Sequence, residues 1–141
     1  MKTYVLTVSR NFPATHPKSG EATGFISGIL DGVKIHTIRD NVDLWSKRAT
    51  EINAGRGVLS IRVWSGMPYR SKQIEVIELT SIGIQTVAVS LFGKITVDKD
   101  RVVSLHSLSA NDGLSIEEFS SWFGVWGERS KVIIHFTDFR Y

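Results

Sequence analysis

The chain has 141 residues, 42% of them hydrophobic and 22% charged, with a net charge of +3 and no cysteine. Those values describe one globular domain over residues 1–141 with a single core, and they exclude disulfides and thiolate metal sites. No apolar run approaches membrane-spanning length, and the start is too short and too alternating for a signal peptide, so a cytoplasmic protein without membrane partners is expected.

Tyr4, Leu6 and Val8 alternate with Val5, Thr7 and Ser9, which predicts a first strand. Asn11–Gly20 holds Pro13 and Pro17 among Ser, Thr and Gly and reads as a loop, with His16 an exposed loop histidine. Phe25, Ile26, Ile29 and Leu30 recur at helical spacing and predict a helix over Glu21–Asp31, although Gly20, Gly24 and Gly28 weaken it. Gly32 follows as its C-terminal cap. Gly32-Val-Lys34-Ile-His36-Thr37-Ile-Arg39 then reads as a strand running out of a turn. In a strict strand Ile35, Thr37 and Arg39 share one face, and Lys34, His36 and Ile38 the other. Lys34 and Thr37 therefore meet at one site only if Lys34 lies in the turn or on a bulge.

Asp40 or Asn41 caps a second helix in which Val42, Trp45, Ala49 and Ile52 fall on one face, and Gly55 stops it. Val58–Trp64 is a strand with Leu59, Ile61 and Val63 against Ser60, Arg62 and Trp64. A turn-rich connector, Ser65–Ser71, leads to a strand over Gln73–Leu79 whose apolar phase slips between Val76 and Ile77, predicting a bulge. Ile82–Phe92 shows another slip near Thr86; Gly93 breaks it, and Lys94–Val97 resumes ahead of a charged turn, Asp98–Arg101. Ser115-x-x-Glu118 is a capping box opening a helix that carries Ile116, Phe119 and Phe123, with Trp122 and Trp126 on its flank and beyond its end. Val132–Phe136 is a last strand. The order describes an α+β protein, and repeated phase slips suit a small, strongly bent β-barrel with flanking helices.

Gly32-x-Lys34-x-x-Thr37-x-Arg39 resembles the signature of the ASCH domain family, a relative of the PUA domain, in which the motif follows a helix and leads into a barrel strand. The order of elements is similar to that family's over nearly the whole chain. Two features depart from a minimal member, the Asn11–Gly20 loop and the Ser65–Ser71 connector. The PUA-like resemblance implies contact with RNA or a nucleotide-like ligand. One subset of the family, resembling a small bacterial amidohydrolase of N4-acylated cytidines, implies roles for Lys34 and Thr37 together with an acid ahead of the late helix. Asp112 stands there, one methylene shorter than that member's glutamate.

The residues support both directions. A lysine desolvated in a pocket has a lowered pKa and can take a proton from a threonine hydroxyl, while a carboxylate orients the lysine or protonates a leaving amine. As binders, Lys34 and Arg39 suit phosphate or carboxylate oxygens. Arg62, Arg70 and Lys72 would extend a basic track, and Trp64 and Tyr69 offer faces for base stacking. Arg39, Lys47, Arg48, Arg56, Arg62 and Arg70 make the stretch from Lys34 to Lys72 the basic part of the chain. His16, His36, His106 and His135 are scattered, so no metal and no other cofactor is expected. The first expectation is a domain binding RNA or a nucleotide-like ligand in a basic cleft at the signature. The alternative is a hydrolase of acylated nucleosides, or behind that of RNA, using Lys34, Thr37 and Asp112. A protein-interaction module comes third.

Overall fold

A computed structural model gives the structure and describes residues 1–124, 126 and 129–141. The elements run β1 (Lys2–Thr7), α1 (Phe25–Leu30), β2 (His36–Arg39), α2 (Val42–Asn53), β3 (Gly57–Trp64) and β4 (Gln73–Leu79). They continue β5 (Gly83–Val89), β6 (Ile95–Val97), β7 (Arg101–Val103), α3 (Leu105–Asn111), α4 (Ile116–Phe123) and β8 (Lys131–His135). The protein is α+β. Its strands form two sheets, ordered β1-β3-β4 and β2-β8-β5-β6-β7, and no strand pairing among the described residues joins them into a closed barrel.

What joins the sheets is side-chain packing. α2 lies against β3 of one sheet and β5 and β8 of the other. Its buried Trp45, Ala49 and Ile52 follow the helical spacing seen in the sequence, and the Asn41 side chain caps it by accepting from Leu44 N. Asn53 at its far end pairs through its side-chain amide with both backbone groups of Ile82, which fixes where β5 begins. One apolar cluster takes Leu6, Leu59, Ile61 and Val63 from the first sheet and Val87, Val97, Ile133 and Ile134 from the second. Val132 to His135 are all fully buried because β8 has strands on both sides and packed layers on both faces.

Several expectations are altered by the structure. The first helix is shorter than Glu21–Asp31, because Gly24 adopts a left-handed backbone (φ 76°) and the chain enters the helix only at Phe25. The bulge in β4 is real: Ile77 pairs with Ile61 and Glu75 with Arg62, leaving Val76 as the extra residue. The slip near Thr86 is absent, since β5 pairs in unbroken register with β8. Its apparent phase change came from Gln85, a polar residue at a buried position. β7 and α3 had no counterpart in the pattern of the sequence. Ile116 points largely to solvent, whereas Phe119 is buried as expected. His16 is buried: its Nε2 donates to the Glu118 carbonyl (3.0 Å), its Nδ1 accepts from Lys18 N (3.0 Å), and it packs on Phe12 and Trp122. That histidine ties the long loop to the start of α4.

A candidate active site at the signature strand

The signature begins at the end of α1. Gly32 takes a left-handed conformation (φ 76°), and the reversing chain sends Val33 N and Lys34 N back to the Gly28 carbonyl. Lys34 is thus in the turn, ahead of β2, and its side chain escapes strand alternation. Ile35 N donates to the Asn111 carbonyl (2.9 Å) and Ile35 O accepts from Phe136 N (2.9 Å). This main-chain clamp brings the end of α3, and with it Asp112, beside Lys34.

Lys34 is 2% exposed. Its stem runs between two glycines: a methyl on Gly113 would sit 3.0 Å from Lys34 Cβ, and one on Gly28 would sit 3.4 Å from it. Its Nζ donates to the Asp112 carbonyl (2.7 Å) and to Asp112 Oδ1 (3.3 Å), and lies 4.1 Å from the centre of the Phe25 ring. The ammonium thereby caps the negative end of α3. Burial lowers the Lys34 pKa from its ordinary value, with Asp112 opposing and Arg39 adding to the drop. Desolvation wins.

Asp112 has a second partner. His36 Nδ1 lies 3.2 Å from Asp112 Oδ1, and His36 Nε2 lies 2.6 Å from the Tyr141 hydroxyl, which also receives Asn111 Nδ2 at 3.1 Å. With a neutral imidazole, the contacts are satisfied when Asn111 donates to Tyr141, Tyr141 donates to His36 Nε2, and His36 Nδ1–H donates to Asp112. Burial raises the Tyr141 pKa to about 12, consistent with a phenol that keeps its proton and donates it.

Thr37 and Arg39 occupy the other face of β2. Arg39 donates to Thr37 Oγ1 (2.8 Å), to the Ile38 carbonyl (3.0 Å) and to the Thr7 carbonyl (2.7 Å). Burial lowers the Arg39 pKa from its ordinary value, and Asp112 again opposes. With Thr37 Oγ1 accepting from a cation, the hydroxyl proton remains free to be donated.

Lys34, Thr37, Arg39 and Asp112 all border one cavity of about 310 Å³, which Phe25, Leu114, Trp122 and Phe123 also line. The remaining residues expected to bind ligand lie elsewhere. Arg62 is held on the sheet by Ser60 Oγ (2.9 Å) and Gln73 Oε1 (3.1 Å), and Arg70 and Lys72 are exposed; none of the three lines this cavity. The expected basic track therefore does not lead into it. Trp64 and Tyr69 line a second cavity next door.

The sequence reading placed His36 among the polar side chains of the motif but gave it no role, and it missed Asn111 and Tyr141. His36 carried a signal, since it alternates with Thr37 in the motif, but its partner Tyr141 is 105 residues away. The histidines are not all scattered: the His36 and His135 rings meet edge to face, 5.5 Å apart. Among the described residues no group of three or more His, Asp or Glu is placed to hold a metal ion. No helix there is long and apolar enough to cross a membrane. Compared with family models, curated proteins and solved structures, the chain matches none.

Proposed function

We propose that this chain is an ASCH-type, PUA-like domain whose cavity binds a nucleoside-sized ligand and hydrolyses an acyl amide on it, as in an N4-acylated cytidine. One observation carries the reading: a buried Lys34, its pKa lowered by desolvation, shares a cavity with Thr37 and is aimed by Asp112. This reverses the order in which the sequence ranked binding and catalysis.

The reaction follows from the groups present. Thr37 Oγ attacks the acyl carbon while Lys34 Nζ, once it has given up its own extra proton, takes the hydroxyl proton; burial lowers its pKa in that direction. Arg39, already donating to Thr37 Oγ1, offsets the negative charge that develops beside it. The C–N bond breaks and Lys34 returns its proton to the departing amine. Water then attacks the acyl-threonine ester, giving one proton to Lys34, which passes it back to Thr37 as the acid leaves. Asp112, fixed by His36, holds Lys34 in place throughout.

A second reading, binding of RNA or a nucleotide-like ligand without turnover, is favoured by the two hydrogen bonds that Lys34 donates to Asp112, the posture of a held ammonium. Thr37→Val separates the two, because it keeps the shape of β2 and deletes only the hydroxyl. With N4-acetylcytidine, acetate release by the wild type should fall by at least about 10²-fold in the variant. Binding should change by no more than one hydrogen bond, about 0.5–1.5 kcal/mol. Binding with no acetate release in the wild type would establish the second reading instead.

A further inference from the structure

The two loops that depart from a minimal ASCH-like chain meet each other. Arg10 NH1 donates to the Ser65 carbonyl (3.1 Å), and between the loops lies a cavity of about 480 Å³. Its lining includes Arg10, Asn11 and Phe12 after β1, and a second wall of Trp64 and Tyr69 from the end of β3 and the connector. Thr7, Val8 and Ser9 border both this cavity and the one at the signature, so the two adjoin along the end of β1.

The second wall is built. Trp64 and Tyr69 have ring centres 5.1 Å apart, and Tyr69 is 89% exposed. Tyr69 also adopts a left-handed backbone (φ 63°), a conformation that a bulky residue avoids unless its surroundings impose it. The connector imposes it: Ser65 N donates to Lys72 O, Arg70 N to Met67 O, and Ser71 Oγ bridges Gly66 N and Met67 O. An exposed aromatic ring and a cation thus line the same cavity. Arg10 enters no salt bridge among the described residues.

We propose that this second cavity is a subsite for the adjoining nucleotide of a ligand longer than one nucleoside: its base stacks on Trp64 and Tyr69, and the linking phosphate lies against Arg10. Charge and shape select that occupant. A planar ring matches the aromatic pair, and stacking on such faces is tolerant of base identity. A phosphate matches the Arg10 guanidinium, which lines the second cavity directly after the shared residues Thr7, Val8 and Ser9. The proposal rests on the nucleoside-sized reading of the signature cavity and extends it to a dinucleotide or a strand end.

Isothermal titration with cytidine and with cytidylyl-(3′→5′)-cytidine tests it. Wild type should bind the dinucleotide on the order of tenfold or more tighter than the nucleoside. Tyr69→Gly, in which glycine keeps the left-handed turn without strain, should remove most of that gain and leave cytidine binding unchanged. Arg10→Gln should remove the salt-dependent part of the gain. Equal affinity for the two probes, or a gain that survives both substitutions, overturns the subsite while cytidine binding still upholds the signature cavity. A dinucleotide that binds through Tyr69 when cytidine does not bind upholds the subsite and sinks the reading of the signature cavity. Binding of neither probe overturns both.

Discussion

The two adjoining cavities are built on opposite principles. At the signature, the polar side chains of the motif and Asp112 are buried or half-buried and held by one another: Lys34 by Asp112, Asp112 by His36, His36 by Tyr141, Thr37 by Arg39. Next door, Tyr69 and Arg10 stand exposed on loops and keep only a few contacts. Fixed, dry groups have altered proton affinities and can do chemistry. Exposed rings and a solvated guanidinium recognise without reacting. The contrast predicts that stability and acid–base behaviour reside in the first cavity and ligand length selectivity in the second.

The most severe test of that division is Lys34→Met, which keeps the stem between Gly28 and Gly113 but strips the charge. It leaves Asp112 buried without its cation, and removing one partner of a buried pair costs about 3–5 kcal/mol. A loss near about 3 kcal/mol in urea unfolding is expected, at the low end of that range because His36 still donates to the carboxylate. A change below about 1 kcal/mol would show that the pair does not hold the fold together.

Next in size is an acid limb. His135 Nε2 donates to Gln85 Oε1 (2.9 Å), and Nδ1 is buried with no partner among the described residues, so a second proton has nowhere favourable to go. Burial and the neighbouring His36 push the His135 pKa down from 6.5 to about 3. The folded pKa lies below the unfolded one, so the unfolded chain binds the extra proton. Stability from this group is present above about pH 6.5 and is lost as pH falls toward 3, at about 1.4 kcal/mol per pH unit. His135→Gln, which keeps a donor for Gln85, should flatten the limb between pH 6 and 4 by one proton in denaturant titrations at each pH; an unchanged slope would clear His135 of it.

Gly113→Ala should cost less, about 1–2 kcal/mol, because alanine is strained at φ +80° and its methyl would press on Lys34 Cβ. Thermal unfolding reads the loss, and acetate release should fall with it as Lys34 is displaced. Smallest of all should be Tyr69→Gly, within about 0.5 kcal/mol of wild type, since an exposed loop ring contributes little to the core. A large destabilisation there would mean that the loop cavity is as structural as its neighbour.

How far the sequence revealed this depended on whether side chains obeyed their element's period. α2, β3 and the capping box of α4 were legible because Trp45, Ala49 and Ile52, then Leu59, Ile61 and Val63, then Ser115 and Glu118 stand at the spacings those elements require. The doubled phase at Val76 also told the truth. α3 was hidden because its seven residues bury only Leu108 and Ser109, too few to show a period. Gln85 and His16 misled for one reason: polarity was taken for exposure, and each is buried with its hydrogen bonds made. At the site, the motif spacing brought forward Lys34, Thr37 and Arg39, and these do share a cavity with Asp112. The support from Asn111, His36 and Tyr141 depends on tertiary contacts that no local spacing records.

The position of β8 sets the order in which this molecule can be made. It follows every other strand in sequence yet is an interior strand of its sheet, with β2 on one side and β5 on the other. On the ribosome, β2 and β5 have no hydrogen-bonding partner in common until Lys131–His135 has emerged. Until then neither edge of the signature strand is paired, although Asp112, the partner of Lys34, has already been made. A chain stalled before β8 therefore lacks the strand that joins β2 to β5, and with it the Phe136 N–Ile35 O bond and the Tyr141 partner of His36. It exposes two unpaired strand edges of the kind that chaperones recognise and aggregates recruit.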